Sequence, residues 1–306
     1  MKTTATLSFI LLLLFTGGCN HTEKTTTHQV TDSVVQTTNN TPPSQQAYAD
    51  VNGLHMYYEI HGQGAPLVLI HGGGSTITTS FGKILPFLAK THQVIAVELQ
   101  AHGHTSDRNT PESFMQDAKD VNELLNQLNI PKADFFGFSN GGQTAMQLAM
   151  LYPEKVNKLI IASAFYKREG TPAAFWQGMA MAQFEDMPQI YKDEFLKIKN
   201  DSAALFKMFT KDANRMRTFR GWNDEDIRSI KAPALIVIGD QDIIRPEHAV
   251  EMNLLLPQSH LAILPGTHGS YMGEIMSADS TSKIPELFVA MINEFLSQDD
   301  SAETKN

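Results

Sequence analysis

Gly137-Phe138-Ser139-Asn140-Gly141 follows an apolar run and is followed at once by Gly142 and a helical pattern. The spacing is G-x-S-x-G, a strand-to-helix turn that carries a serine at its tip. A serine hydroxyl attacks a carbonyl only if it projects clear of the backbone and can pass its proton to a neighbouring base. A sharp, strained turn gives that projection, and glycines on either side leave space where side chains would clash. The rest of the chain must then supply a base, a group to orient it, and donors for the negative charge that forms on the carbonyl oxygen.

The chain has 306 residues, enough for one large domain or two small ones with a sizeable core. Its 42% hydrophobic and 19% charged residues describe a globular protein rather than a disordered one. A formal charge of −9 leaves no basic stripe to meet phosphates, so nucleic acid is not an expected partner. A single cysteine, Cys19, excludes an internal disulfide.

Lys2, an apolar run over 7–15 and then Thr16-Gly17-Gly18-Cys19 have the layout of a signal peptide over 1–18. The small residues before Cys19 resemble a bacterial lipobox, with Thr16 where leucine is usual. The resemblance implies export and a lipid anchor on Cys19, at an outer membrane or cell surface; the alternative is an ordinary secretory signal and a secreted or periplasmic protein. Residues 19–46, rich in Thr, Asn, Gln and Ser, have too few large apolar groups to offset the entropy of ordering and are expected to be a disordered tether.

From residue 47 strand and helix patterns alternate. Asn52-Gly53 between 47–51 and 54–60 is a hairpin signal. Residues 66–70, 94–97, 133–138, 159–162, 234–238 and 261–264 are apolar runs, as in strands buried on both faces. Phe81, Ile84, Leu85 and Leu88 predict a helix with a possible kink at Pro86, and Thr110-Pro111 predicts the start of another. The alternation implies a mostly parallel sheet flanked by helices, an α/β fold. It is interrupted over 165–230, where helical patterns carry many Met and aromatic residues, Trp176, Met187, Phe206 and Met208 among them. That stretch is expected to be a helical cap dividing the core into 47–164 and 231–298, with a polar tail at 299–306. Its apolar side chains either line a substrate pocket or pack the cap on the core.

With these elements in place, residues 47–296 resemble the α/β-hydrolase fold family. The resemblance implies a chain order of nucleophile, acid and histidine, which Ser139, Asp242 and His268 match, each in a loop after a strand. It implies that Ser139 attacks, His268 relays the proton, and Asp242 orients the imidazole. It places the oxyanion donors on the backbone N–H groups of Gly73, within His71-Gly72-Gly73-Gly74, and of Asn140. Asp240 competes with Asp242, but the family's acid is followed four residues on by proline, here Pro246. His248 and His260 fall in a helix and at a strand's start. His71 is expected to be structural. His102-Gly103-His104, with no carboxylate or cysteine ligand in view, is too small a set for a metal. The loop also departs from the family's usual Asp-x-x-Gly-x-Gly-x-Ser at Glu98, Ala101 and Thr105.

The expected activity is that of a serine hydrolase on a carboxylic ester of a small to medium acyl substrate, with no cofactor. Carbon–carbon bond hydrolysis, thioester hydrolysis and acyl transfer on the same triad remain alternatives, as does a hydrolase-fold binding protein without turnover. Oligomeric state is left open.

Overall fold

The structure is a computed structural model that describes residues 45–298. The expected signal peptide, Cys19, the tether up to residue 44 and the tail from 299 lie outside the described residues.

The first two strands, β1 (Gln45–Val51) and β2 (Leu54–His61), form a hairpin about Asn52-Gly53. Both turn residues have positive φ, 49° and 78°, as a type I′ turn requires. Gln45 and Gln46, expected in the tether, instead pair with Ile60 and Glu59 and belong to the sheet. Two exposed glutamines join this edge strand because the backbone ladder needs no apolar side chain.

Six further strands follow: β3 (Ala65–Ile70), β4 (His92–Val97), β5 (Ala133–Phe138), β6 (Val156–Ala162), β7 (Ala234–Gly239) and β8 (Ser259–Leu264). The sheet order is β1-β2-β4-β3-β5-β6-β7-β8. β2 is antiparallel to β1 and β4, and every other pairing is parallel. Helices in chain order are α1 (Ile77–Phe81), α2 (Leu85–Leu88), α3 (Phe114–Gln127), α4 (Asn140–Leu151), α5 (Ala173–Met181), α6 (Gln189–Ile198), α7 (Ser202–Thr218), α8 (Asp224–Arg228), α9 (Pro246–Leu255) and α10 (Ile284–Ser297).

Alternation along each strand divides the core in two. Val68 and Ile70 pack with α3, α4 and α9 on one face. Leu67 and Leu69 pack with α1, α2 and α10 on the other. β3 to β7 are therefore apolar on both sides, which is why they read as continuous apolar runs. β8, at the sheet edge, is only partly buried, with Ile263 exposed, so residues 261–264 are not buried on both faces as expected.

Two helix expectations change. The single kinked helix around Pro86 is two short helices, because proline lacks an N–H and is tolerated in the first turn of α2. α3 is capped by Ser113, whose Oγ accepts from the Gln116 N–H, and not by Thr110. Thr110 instead offers its carbonyl to Lys211 and Gln100.

α5 to α8 form the insertion between β6 and β7. These are neighbouring strands, so the insertion leaves and rejoins the sheet at adjacent places, and a Trp222 N–H to Tyr166 carbonyl bond of 2.8 Å closes its neck. Its apolar residues have three fates. Trp176, Met216 and Phe219 join the first core face. Met187, Phe195, Leu205 and Met208 gather over Ala101. Met181 and Phe206 are 68% and 54% exposed, so neither is pocket lining in this structure.

Candidate active site

β5 is buried along its whole length and ends in a backbone reversal at Ser139, φ 52° and ψ −124°. A non-glycine residue in that region stores roughly 1–3 kcal/mol of strain. The surroundings hold it there. The Ser139 N–H donates to the Ala162 carbonyl at 2.9 Å, and the Ser139 carbonyl accepts from Gly142 at 2.7 Å. The glycines are sterically required: a Cβ on Gly137 would lie 2.1 Å from the Gly141 carbonyl oxygen, and one on Gly141 would lie 2.0 Å from that of Ile70. α4 therefore starts flush against the end of β3.

Asp242, in the loop after β7, has a fully buried side chain. One oxygen accepts from His268 Nδ1 at 2.7 Å and from the Ile244 N–H at 3.2 Å. The other accepts from Ser163 Oγ and the Gly239 N–H. Burial alone would raise the Asp242 pKa, but the His268 hydrogen bond and charge, with the Ser163 bond, outweigh it and hold the carboxyl below its usual value. Ser163 in turn meets the buried Tyr271 hydroxyl at 2.8 Å. Ser163 and Tyr271 were not anticipated. The one sequence signal is that Ser163 directly follows an apolar strand.

His268 is partly exposed and packs its ring against Phe138, beside Ser139, at 5.0 Å between centroids. Ser139 Oγ and His268 are not hydrogen-bonded in this structure, and Ser139 Oγ has no partner among the described residues. Such contacts commonly tighten only with substrate bound. Asp240 accepts from the Gly266 N–H at 2.7 Å and ties two loops together. His248 is buried, stacked on Tyr166 and hydrogen-bonded to Glu251, with burial pushing its pKa down to about 4. His260 lies on β8 against Phe295. Of the three histidines weighed, His268 is the one paired with a buried carboxylate after a strand.

The N–H groups of Gly73 and Asn140 have no acceptor among the described residues. Their neighbours are occupied: Gly72 donates to Ser80 Oγ, Gly74 to Asp212, and Ser75 to the Gly72 carbonyl. A Cβ on Gly73 would fall 2.4 Å from Asn140 Nδ2, so glycine leaves room for the Asn140 side chain against this loop.

His71 is buried, donates from Nδ1 to the Gly72 carbonyl at 2.7 Å and accepts from the Leu99 N–H at 3.0 Å. Burial depresses its pKa to about 3, which matches this neutral tautomer. His102 and His104 each have a carboxylate neighbour, contrary to the expectation that none is near. Glu98 meets His104, and Asp212 from α7 meets His102. Glu98 fits where aspartate is usual because Gly103 has no side chain; a Cβ there would lie 2.3 Å from a Glu98 oxygen. Ala101 adopts φ 64° at the position where the pattern has glycine.

Asp212 belongs to a buried charged set. Its other oxygen pairs with Arg215, which also reaches Asp117 on α3 at 2.7 Å and lies 3.8 Å from Glu112. Burial works against the His102 charge, yet Asp212 holds its pKa above the usual value. Burial likewise opposes the Asp212 charge, and His102 with Arg215 overrides it. Glu112, desolvated and only distantly paired, is pushed up to about 8. A cleft of about 590 Å³ beside this set, lined by Thr110, Glu112, Lys211 and Arg215, does not reach Ser139, Asp242 or His268.

The family model for the alpha/beta hydrolase fold matches residues 65–208. A solved structure titled as a serine hydrolase of carbazole degradation, CarC, superposes with a TM-score of 0.68 at 23% identity, over 83% of this chain and 98% of that one. The chain has the α/β-hydrolase fold. Among curated proteins with sequence similarity, human serine hydrolase BPHL is 28% identical over 258 residues, 78% of this chain and 84% of the relative. A 2-hydroxy-6-oxo-2,4-heptadienoate hydrolase of Pseudomonas putida is 23% identical over 78% of this chain and 91% of its own. A dihydrolipoyllysine-residue acetyltransferase component of an acetoin cleaving system, also from Pseudomonas putida, is 26% identical over 77% of this chain, which spans 66% of its length. In this α/β-hydrolase fold the three candidate side chains stand in loops at the carboxyl ends of β5, β7 and β8, where open α/β sheets place their sites. Among the described residues, no helix is long and apolar enough to cross a membrane.

Proposed function

We propose that the chain is a serine hydrolase that cleaves a carboxylic ester of a small to medium acyl substrate. The observation that carries this is the 2.7 Å bond from His268 Nδ1 to a fully buried Asp242, in loops beside a serine held at positive φ. Ser139 Oγ adds to the ester carbonyl while His268 Nε2 takes its proton. The oxyanion is met by the N–H groups of Gly73 and Asn140. Collapse expels the alcohol, which receives the proton from His268, and leaves an acyl-serine. Water, deprotonated by His268, then releases the acid and restores Ser139. Met187, whose Cε would lie 3.5 Å from a Cβ on Gly74, places apolar surface against the oxyanion loop and suits an acyl chain.

A panel of p-nitrophenyl esters and thioesters of rising acyl length tests this. Turnover of at least one ester above the Ser139→Ala background is expected, and no turnover of any would overturn the ester reading. The similarity to the heptadienoate hydrolase supports a second reading, hydrolysis of a carbon–carbon bond next to a ketone. A vinylogous 1,5-diketone consumed faster than every ester would favour it.

Asp242→Asn is expected to lower kcat roughly 10³–10⁴-fold, because an amide NH₂ cannot accept from donors that now face both oxygens. Asp240→Asn keeps an oxygen for the Gly266 N–H and is expected to stay within about threefold of wild type. Steady-state kinetics of the two variants compare the aspartates directly, and a larger loss at Asp240 would reassign the acid.

A further inference from the structure

The loop that offers the Gly73 N–H consists of three successive glycines, the most pliable backbone available. It has no side chain of its own to fix it. Gly72 is held locally by Ser80, Ser75 and His71, but beyond it the anchor comes from 138 residues away: the Gly74 N–H donates to Asp212 Oδ2 at 2.6 Å, and Asp212 lies on cap helix α7. His102 Nε2 also stands 3.3 Å from that N–H. Both His102 ring nitrogens, however, face acceptors, the Gln100 carbonyl at 2.8 Å and Asp212 at 2.9 Å. An imidazolium donating to both has no lone pair left, so the carboxylate is the acceptor for Gly74.

We propose that Asp212 is a positioning residue that sets the oxyanion loop, so that the donor geometry at Gly73 depends on the cap being seated. Asp212 Oδ2 lies 3.3 Å from where a Gly73 Cβ would stand, one peptide from the donor. It is immobilised by three elements: α7 itself, His102 in the loop after β4, and Arg215, which is tied to Asp117 on α3. Orienting the Gly73–Gly74 peptide orients the N–H that precedes it, and a donor displaced by an ångström loses most of its effect on a developing oxyanion. The His102 and Arg215 charges offset the repulsion that Asp212 would exert on that oxyanion. Lifting the cap withdraws the acceptor and frees the loop.

This inference rests on the serine-hydrolase reading, and its test separates the two. In the full chain, Asp212→Ala and the isosteric Asp212→Asn are compared with wild type for kcat, KM, inhibition by phenylboronic acid, and amide hydrogen exchange over residues 72–75. Phenylboronic acid adds to the serine as a tetrahedral anion and so probes the donors; KM reports largely on the acyl pocket. Asp212→Ala is expected to lower kcat about 100-fold with KM within threefold, and to weaken the boronic acid by a similar factor. Asp212→Asn keeps an oxygen for the Gly74 N–H but turns its NH₂ toward Arg215, and is expected to recover part of that loss. Exchange at 72–75 should quicken most in the alanine variant. A folded Asp212→Ala enzyme with kcat and boronic acid affinity within threefold of wild type overturns the proposal. Equal losses in the two variants that track thermal stability rather than boronic acid binding do the same. If the alanine variant does not fold, Asp212→Ser, whose side chain is too short to reach the Gly74 N–H, takes its place, and unchanged exchange at 72–75 in that folded variant counts against the anchor. If wild type neither turns over esters nor binds the boronic acid, the hydrolase reading fails, while exchange still reports on the anchor alone.

Discussion

Ser139→Ala is expected to remove turnover, with kcat falling by roughly five to six orders of magnitude, since without the nucleophile its base and acid have nothing to activate. The protein itself should survive the change. Ser139 Oγ has no hydrogen-bond partner among the described residues, so its removal strands no polar group. The backbone at φ 52° and ψ −124° remains equally unfavourable for alanine. Ser139→Gly relieves that strain and is expected to raise the unfolding midpoint while also abolishing activity, which would show stability given up to hold the hydroxyl forward. Labelling by a fluorophosphonate probe, followed by intact mass, measures the first effect, and thermal unfolding the second. Labelling of Ser139→Ala equal to wild type would place the nucleophile elsewhere. A folded wild type that resists the probe would turn the reading toward a binding protein.

Gly141→Ala is expected to produce the largest loss of stability among single methyl additions near the site. The added carbon would lie 2.0 Å from the Ile70 carbonyl oxygen and 2.6 Å from that of His71, and neither is the far end of a flexible side chain. Relief requires α4 to move away from β3. That motion displaces the Asn140 N–H and the start of the glycine loop together. Overpacking at fixed backbone costs about 3 kcal/mol, which for a domain of this size lowers the midpoint by roughly 6–12 °C. Whatever folds should have kcat reduced along with Tm. Gly178→Ala in α5 is the control, because a Cβ there meets nothing within 4 Å, and its midpoint is expected to be unchanged or higher. A Gly141→Ala protein as stable and active as wild type would contradict the tight seat described for the elbow.

Much of this was legible in the sequence because it is local. Val68 and Ile70 face one layer of helices and Leu67 and Leu69 the other, and that double burial writes an unbroken apolar run. Asn52-Gly53 announces its hairpin because few residues accept positive φ twice in succession. Ser139, Asp242 and His268 stand out because each follows a strand. The start of α3 was misplaced because Thr110 and Ser113 are both competent caps three residues apart, and the tertiary bonds to the Thr110 carbonyl favour the later one. Least legible were the buried polar partners. His102 and Asp212 are 110 residues apart, Arg215 and Asp117 are 98 apart, and no periodicity links them. Ser163 and Tyr271 behind Asp242 were hidden for the same reason.

The neck between Tyr166 and Trp222 bears on how such a chain diversifies. A segment that departs and returns at adjacent strands can be lengthened, shortened or exchanged for a foreign one at small entropic penalty, about 0.6 kcal/mol per doubling of its length. The strand order and the three loops need not change, but two conditions travel with the graft: the incoming segment must cover the core face that Trp176, Met216 and Phe219 cover here, and it must present an acceptor to the Gly74 amide. Recombination at this junction is thus free in length but restricted at one apolar face and one atom, and shuffled libraries should retain activity chiefly where both are replaced in kind.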